Sequence, residues 1–272
     1  MFLNVSEELK KARIGKYAIG AFNTSNLEIT KAICSAAKEA EMPIIIQTTP
    51  SSVEYAGLEQ IISIVKTEIE ISGIDASLHL DHAKDFETVK RCIDAGYRSV
   101  MIDGSKLPFE ENVALTKKVV DYAHSKNVSV EGEIGAIATE EGGEIEGKSE
   151  YSSVEETRKF VDLTGVDSIA VSVGNQHGAP EGEKINLALL KEITESIEIP
   201  VVMHGCSGLS ESDIKSAVDL GVSKFNIDNQ IRIAFSKTIN GEYSEDYRKM
   251  MVRAIDSVQK VVERYIKLFS NK

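Results

Sequence analysis

The sequence SVMIDGSKLPFEENVALTKKVVDYAHSKNVSVEGEIG, residues 99–135, contains the pattern that decides the fold. Two short apolar runs, Ser99–Ile102 and Val128–Glu131, are rich in β-branched residues. Between them, Asn112–Ser125 places apolar residues three and four positions apart, which predicts an amphipathic helix. Strands with unbroken apolar runs are typical of parallel sheets, which are covered on both faces. The stretch therefore predicts one strand–helix–strand unit with parallel strands.

The same unit recurs along the chain. Eight apolar runs predict the strands: Ala18–Phe22, Pro43–Gln47, Ala76–Leu80, Ser99–Ile102, Val128–Glu131, Ser168–Val173, Pro200–Met203 and Ser223–Ile227. Eight parallel strands alternating with helices favour an α/β fold, a single (β/α)8 TIM barrel over residues 1–272. An open doubly wound sheet is the alternative, but AFNTSN at residues 21–26 stands where that fold carries a glycine-rich phosphate turn.

The C-terminal stretch Ser244–Phe269 predicts a long helix, a helical extension to the barrel. Its apolar stripe comprises Tyr247, Met251, Ala254, Val258, Val261, Val262 and Tyr265. This stripe could pack on its own barrel or contact another subunit, and the sequence leaves both alternatives open. A homodimer or homotetramer is the expected assembly.

Composition limits the class of protein. The chain is 42% hydrophobic and 27% charged, as ordinary globular proteins are. A net charge of −12 argues against general binding to nucleic acid or an anionic membrane, although a small anionic substrate needs only a local positive site. The three cysteines are scattered, which favours a reducing compartment, and no apolar run is long enough for a transmembrane helix. We therefore expect a cytoplasmic protein.

Histidines cluster at the predicted strand ends, where TIM barrels carry their chemistry. His82, His177 and His204 follow three different strands, and three imidazoles with an open fourth position describe a catalytic zinc site. Asp81 adjoins His82, so it could be a general acid/base or a carboxylate that orients the ligand. His79 lies inside a predicted strand, which favours a role in packing or in supporting the site residues. His124 lies on a predicted helix, which favours a position at the surface.

Further polar residues follow the other strands. Asp103 and Glu133 could bind a second cation, or could orient ligands and cap helices. The segments Gly205–Gly208 and Asn226–Asn229 follow strands seven and eight, where barrels bind phosphate through backbone N–H groups. The polar stretch Ala138–Ser152 is long for a loop between a strand and a helix, and such loops are usually functional or mobile.

These motifs resemble those of the class II, metal-dependent ketose-bisphosphate aldolases over nearly the whole chain. The matching segments are AFNTSNLE at 21–28, HLDHAKDFE at 79–87, SVMIDGSKLPFEENVALTKKVVDYAH at 99–124, VSVEGEIG at 128–135, TGVDSIAVSVGNQHG at 164–178, HGCSGLS at 204–210 and SKFNID at 223–228. Within the family, HGCSGLS leans slightly toward the tagatose-bisphosphate branch. Two segments depart from the family pattern, because the loop after strand five lacks GGxED and Asn229 replaces a threonine.

The resemblance implies a role for each residue. The catalytic zinc would be held by His82, His177 and His204, and a second divalent or a monovalent cation by Asp103 and Glu133. Asp81 would exchange the proton of the substrate hydroxyl, and a glutamate of the loop, for which we favour Glu144 over Glu140, Glu141 and Glu146, would exchange the carbon-bound proton. The substrate would contact Asn23, Gly178, Gly205, Cys206, Ser207, Asn226, Ile227, Asp228 and Asn229.

The implied reaction is the reversible cleavage of a ketose 1,6-bisphosphate into dihydroxyacetone phosphate and glyceraldehyde 3-phosphate through a zinc-stabilised enediolate. Fructose 1,6-bisphosphate is the expected substrate. Tagatose 1,6-bisphosphate and a deoxy-keto-gluconate phosphate are alternatives. Two other functions are weighed: a Schiff-base aldolase using Lys106 or Lys224, and a non-catalytic sugar-phosphate-binding subunit. A Schiff-base aldolase would leave the three histidines at the strand ends without a function. A non-catalytic subunit is expected to have lost a zinc-binding histidine or Asp81.

Overall fold

The computed structural model describes residues 3–135, 139–141, 144–146, 151–176, 184–241 and 244–270, with only the backbone at residues 139–141, 144–146 and 207. Eight of the strands are parallel: β1 (Ile19–Asn23), β2 (Ile44–Thr48), β3 (Ala76–Ala83), β4 (Ser99–Ile102), β5 (Ser129–Ile134), β8 (Ser168–Val171), β9 (Val201–Met203) and β10 (Val222–Ile227). They form a closed barrel in the order β1-β10-β9-β8-β5-β4-β3-β2, while two short strands between β5 and β8 pair only with each other. The predicted TIM barrel is confirmed.

Helices cover the outside of the barrel. They are α1 (Val5–Gly15), α2 (Leu27–Ala40), α3 (Pro50–Ala56), α4 (Leu58–Ser72), α5 (Phe86–Ala95), α6 (Phe109–His124), α7 (Val154–Thr164), α8 (Leu187–Ser196), α9 (Glu211–Asp219), α10 (Asn229–Gly241) and α11 (Tyr247–Phe269). The sequence patterns did not predict α1, α3 or α10. Of these, α3 carries a recognisable start, because the Thr49 side chain accepts from Ser52 N–H and Pro50 occupies the first helical turn.

Helix α1 covers the barrel end at which the strands begin. Its apolar residues Val5, Leu9 and Ala12 form a buried cluster with inward-facing Ile19 and Ile45. On its polar side, the Arg13 guanidinium donates to the backbone carbonyls of Thr194 and Ile197, near the end of α8. This end of the barrel is therefore filled by apolar packing, which leaves the opposite end for chemistry.

Helix α11 packs on its own barrel, against α2 and α10. The residues of its buried stripe are Ala254, Val258, Val262, Tyr265, Ile266, Leu268 and Phe269. The ring of Phe269 stacks on Phe225 of β10, with centroids 4.7 Å apart. Tyr247 is 68% exposed, so the first turn of the predicted stripe does not take part in this packing. Within the described ranges, no helix is long and apolar enough to cross a membrane.

The long loop after β5 contains a hairpin. Strands β6 (Thr139–Glu141) and β7 (Glu144–Glu146) pair antiparallel, with Thr139 opposite Glu146. The chain then enters α7 through Ser152, whose hydroxyl donates to the carbonyl of Ile134 at the end of β5. The end of the loop that leads into α7 is thus tied to the strand that carries Glu133.

Candidate active site

The candidate active site lies where the barrel strands end. Asp81 and His82 of β3, Asp103 after β4, Glu133 of β5 and His204 after β9 come together there. They form two groups that share His82, and within each group the ring nitrogens and carboxylate oxygens lie within 4.8 Å of one another. The first group is Asp81, His82 and His204; the second is His82, Asp103 and Glu133. Predicted site residues far apart in sequence thus form one cluster.

A local irregularity in β3 lets two consecutive residues join this cluster. Successive side chains of a regular strand point to opposite faces of the sheet. Here the pairing with β4 shifts register between Leu80 and Ala83, and His82 adopts a left-handed backbone with φ of 52°. Such a bulge redirects a side chain, so Asp81 and His82 both reach His204.

Acidic side chains surround both imidazoles. His82 Nδ1 is 3.1 Å from Asp103 Oδ2 and 3.7 Å from Glu133 Oε2. His204 Nδ1 is 3.4 Å from the same Glu133 oxygen, and the two imidazole centroids are 4.7 Å apart. Lys84 also contacts Asp103 from the more exposed side. Two carboxylates and two rings therefore share one small, largely buried volume.

These surroundings favour positive charge on the rings. Burial would lower the pKa of His82, but Asp81 and Asp103 outweigh burial and raise it. Burial would likewise lower the pKa of His204, but its hydrogen bond to Glu131 and the nearby Glu133 raise it to about 9. Without a metal, the cluster holds protons.

The cluster fits a divalent metal ion. Glu133 Oε2 is buried and makes no hydrogen bond within the described part of the chain. Imidazole nitrogens and carboxylate oxygens are the ligands of catalytic zinc. A bound cation would also replace the protons that the carboxylates otherwise retain on the rings. The donor set and its charge therefore suit a metal.

Three side-chain amides hold Asp81. Asn23 Nδ2 and Gln47 Nε2 each donate to Asp81 Oδ2 over 3.0 Å, and Asn226 Nδ2 donates to Oδ1 over 3.0 Å. Burial alone would raise the pKa of Asp81, but nearby positive charge, chiefly that of His82, outweighs burial and lowers it. Asp81 is therefore a fixed carboxylate, suited to accept a proton from a substrate hydroxyl.

Sequence reasoning did not assign Gln47 or Glu131 to the site, and it considered Lys224 only as the lysine of a Schiff-base aldolase. Gln47 bridges the amide network, because its Nε2 also donates to Asn23 Oδ1 over 2.7 Å. Glu131 lies 2.9 Å from His204 Nε2, and Lys224 donates to Glu131 over 2.8 Å. Burial would raise the pKa of Glu131, but Lys224 and then His204 outweigh it and hold the pKa far below its usual range. In the sequence, each of these residues could have been recognised only as a polar residue within an otherwise apolar strand.

The predicted phosphate segments lie beside this cluster. Gly205 has a left-handed φ of 66°, and a Cβ there would lie 2.5 Å from the backbone of Gln176, so the position requires glycine. The side chains of Cys206 and Ile227 are buried in the core, so only their backbones could contact a ligand. Helix α10 begins at Asn229, directly after β10.

A cavity of about 540 Å³ adjoins the amide network. Its lining is rich in hydroxyl groups and is formed by Asn23, Thr24, Ser25, Ile29, Thr49, Ser51, Ser52, Asp228, Ile231 and Arg232. Arg232 Nε donates to Asp228 Oδ2 over 3.0 Å, which places a guanidinium at the cavity. The cavity is therefore polar, contains the Asp228–Arg232 ion pair at one side and is adjacent to Asp81 through Asn23.

Some predicted residues are not described by the structure. His177 and Gly178 lie outside the described residues, and the side chains of Ser207 and Glu144 do too. Their roles remain predictions. The two other histidines lie where the sequence favoured them: His79 is buried in β3 with Nδ1 2.8 Å from Ser99 Oγ, and His124 lies 44% exposed on α6 beside Asp167.

Fold and site together define a TIM barrel with an imidazole–carboxylate cluster that could hold a metal ion, beside a buried carboxylate at the ends of the strands. The sequence pattern of class-II fructose-bisphosphate aldolase matches residues 3–272. The chain belongs to this family and is an aldolase, an enzyme of the lyase class.

Known proteins resemble the chain over most of its length. The D-tagatose-1,6-bisphosphate aldolase subunit GatY of Klebsiella oxytoca is 41% identical over 241 residues, 88% of this chain and 84% of that protein. A fructose-bisphosphate aldolase of Geobacillus stearothermophilus is 39% identical over 248 residues, 90% and 86% of the two chains. The crystal structure of the YdjI aldolase from Escherichia coli K12 has a TM-score of 0.89 at 29% identity, and the match covers 99% of this chain and 97% of that one.

Proposed function

We propose that the protein catalyses the reversible, zinc-dependent aldol cleavage of a ketose 1,6-bisphosphate, with fructose 1,6-bisphosphate preferred. The products would be dihydroxyacetone phosphate and glyceraldehyde 3-phosphate. The observation that carries this proposal is the position of Asp81, a buried carboxylate between an imidazole–carboxylate cluster that could hold a metal ion and a polar cavity that contains Arg232.

The metal would be held by His82 and His204, with His177 as the third ligand that the family resemblance implies. When bound, zinc supplies a Lewis acid that polarises the ketone carbonyl of the substrate. Asp103 and Glu133 would support His82 or hold a second cation, since both lie within reach of its ring.

The protein groups would then move two protons. Asp81 would accept the proton of the C4 hydroxyl as the C3–C4 bond breaks, while Asn23, Gln47 and Asn226 keep its carboxylate in place. After the C3–C4 bond breaks, C3 needs a proton. We assign the delivery of this proton to Glu144 of the loop after β5. In the direction of synthesis both transfers reverse.

The two phosphates would occupy different places. Backbone N–H groups of Gly178, Gly205 to Ser207 and Asn226 to Asn229 would hold the phosphate of the dihydroxyacetone moiety. The hydroxyl-lined cavity suits the second phosphate, because Arg232, whose Nε donates to Asp228, has further guanidinium N–H groups that can bind phosphate oxygens. A bisphosphate would thus span the site across Asp81.

Tagatose 1,6-bisphosphate is the second candidate substrate, because the relative from Klebsiella oxytoca is named for it. The Schiff-base alternative is disfavoured by the lysines themselves. Lys224 is buried and ion-paired with Glu131, and Lys106 is exposed. A non-catalytic subunit is disfavoured because Asp81 and the metal-binding cluster are assembled.

We also propose that residues 1–272 form one catalytic domain, in the cytoplasm, and assemble as a homodimer or homotetramer. The buried position of all three free cysteines suits a reducing compartment. Exposed Tyr247 and Val252 on α11 provide apolar surface for a subunit contact.

One experiment tests the function directly. Metal-stripped and zinc-reloaded protein would be assayed for cleavage of fructose 1,6-bisphosphate, tagatose 1,6-bisphosphate and a deoxy-keto-gluconate phosphate, with kcat/KM measured for each. We expect no cleavage without metal and the highest kcat/KM for fructose 1,6-bisphosphate after zinc is restored. Full activity of the metal-free protein, or failure of the reloaded protein on all three sugars, would refute the proposal.

A further inference from the structure

An ion pair is buried beneath the proposed metal site. Lys224 Nζ of β10 donates to Glu131 Oε2 of β5 over 2.8 Å, and the side chains are 0% and 2% exposed. Lys224 precedes Asn226 by two residues on the inward face of its strand, so the pair lies one layer deeper than Asp81. Burying two charges is expensive even when they are paired. A function for the pair would explain why the barrel interior contains it.

The second oxygen of this carboxylate contacts a proposed metal ligand. Glu131 Oε1 lies 2.9 Å from His204 Nε2. An ammonium can only donate hydrogen bonds, so the Glu131 carboxylate is an acceptor toward Lys224 and offers its other oxygen to a proton on His204 Nε2. The opposite nitrogen, Nδ1, faces the cluster at 3.4 Å from Glu133 Oε2.

We propose that Glu131 and Lys224 are positioning residues for the metal site, which rests on the proposed function. Lys224 fixes the Glu131 carboxylate, and Glu131 fixes both the ring orientation of His204 and the proton on its Nε2. His204 then presents Nδ1 to the metal without reorganisation. Carboxylates that accept from the far nitrogen of a metal-binding histidine orient that ring and strengthen the ligand.

The first test uses the wild-type protein. In a zinc-loaded sample, long-range ¹H–¹⁵N correlations of the histidine rings report which nitrogen carries the proton. The proposal predicts that His204 carries its proton on Nε2 and binds the metal through Nδ1. The signals of His204 are assigned by their loss from the spectrum of His204→Ala. The opposite tautomer at His204 would overturn it without any need for a Glu131 variant.

The second test measures zinc affinity rather than turnover. Glu131→Gln keeps the size of the side chain but removes its charge. Competition with a chromophoric chelator on folded, metal-free protein is expected to give zinc binding weaker by about 10–100-fold. Unchanged affinity would overturn the proposal. If wild-type protein itself bound no zinc, the proposed function would fail instead, so the two failures are distinguishable.

A double variant separates positioning from stability. Glu131→Gln with Lys224→Met removes both buried charges and leaves neither one unpaired. If the ion pair serves stability alone, this variant regains wild-type zinc affinity together with its resistance to urea. The positioning role predicts recovered resistance to urea with zinc affinity still at least about tenfold weaker than wild type.

Tyr97→Phe is the matched control. It removes a buried hydrogen bond between Tyr97 Oη and Thr48 Oγ1, 2.7 Å long, from a tyrosine packed among the helices outside the barrel wall. We expect lower resistance to urea with zinc affinity within twofold of wild type. An equal loss of zinc affinity in this control would assign the effect of Glu131→Gln to general destabilisation and overturn the positioning role.

Discussion

The active site holds its carboxylates in two different ways. The amide half comprises Asp81 with Asn23, Gln47 and Asn226; the charged half comprises His82, Asp103, Glu133 and His204. In the amide half, neutral donors satisfy the carboxylate through three hydrogen bonds of 3.0 Å. In the charged half, carboxylates face imidazoles whose raised pKa values reflect that proximity. The carboxylate of the amide half is thus held by protein donors alone, whereas the charged half needs protons or a metal ion for balance.

The largest expected effect comes from breaking the charged half. His204→Ala, or His82→Ala, removes a proposed zinc ligand and is expected to lower kcat/KM by roughly 10⁴-fold or more, because charge stabilisation is usually the largest catalytic term. Metal analysis of the purified variants is expected to find little bound zinc. Full zinc content with full activity in either variant would contradict the assignment of the charged half as the metal site.

Breaking the amide half at its centre has a different signature. Asp81→Ala is expected to retain zinc and lose turnover by about 10²–10⁴-fold, the usual contribution of a general acid/base. Zinc content and kcat are measured on the same sample. Loss of zinc together with turnover would make Asp81 a support for His82 and would erase the distinction between the halves.

The proton of the second transfer is expected to come from outside both halves. Glu144→Gln is expected to slow exchange of the carbon-bound proton of dihydroxyacetone phosphate into deuterated water by about 10²-fold. The assay separates this step from cleavage of the carbon–carbon bond. Glu140→Gln, Glu141→Gln and Glu146→Gln are the matched controls. If all four variants exchange at the wild-type rate, the loop contributes no base.

A smaller effect tests the donors of the amide half. Gln47→Met removes the hydrogen bonds to Asp81 and Asn23 at similar volume. A hydrogen bond to a charged group contributes about 1.5–3 kcal/mol, so we expect kcat/KM to fall by about tenfold or more. Zinc affinity measured by chelator competition is expected to stay unchanged. A loss of zinc affinity in this variant would show that the two halves are coupled.

The sequence predicted the barrel and most of the cluster because strand ends of a TIM barrel meet at one face. The resemblance placed both Asp81 and His82 in the site, but strand alternation alone could not explain this, since adjacent strand residues normally point apart and the bulge at Leu80–Ala83 is a tertiary feature. Sequence reasoning named Glu133 as a candidate cation ligand, but it gave no role to Glu131. Both carboxylates point inward from β5, but depth in the barrel decides that one meets Lys224 and the other the metal cluster.

Helices or helix ends were missed where the apolar periodicity was weak or where single side-chain contacts determine the end of a helix. Helix α10 has one buried residue, Ile231, so its sequence carries little apolar periodicity. Helix α11 begins three residues after the predicted start because the Asp246 side chain accepts from Arg248 N–H and caps it. Such ends depend on single side-chain contacts, which periodicity does not report.

The smallest expected effect concerns His79, which lies below both halves. Burial, followed by the charge of Lys224, lowers the pKa of His79 to about 3. The unfolded chain binds a proton at this residue below its ordinary pKa of 6.5 while the folded chain does not, so acidification favours unfolding. The raised pKa values of His82 and His204 oppose this trend near pH 6.5, where the folded rings are protonated and the unfolded ones only about half so, and contribute little near pH 5, where both states are protonated.

We therefore expect His79 itself to lower the free energy of unfolding of the metal-free protein by roughly 1 kcal/mol per pH unit between pH 6.5 and about 5, measured as the difference between wild type and a variant without this imidazole. His79→Asn keeps a partner for Ser99 Oγ but cannot titrate. Urea unfolding at pH 6.5 and about 5 is expected to give a smaller decrease for this variant, whatever its absolute stability. Above pH 6.5, both proteins are expected to lose stability alike, because the raised pKa of His204, about 9, stabilises the folded state only while the ring stays protonated. Equal slopes for wild type and His79→Asn in the acidic window would mean that His79 accepts a proton inside the barrel, and that positive charge extends beneath the amide half as well.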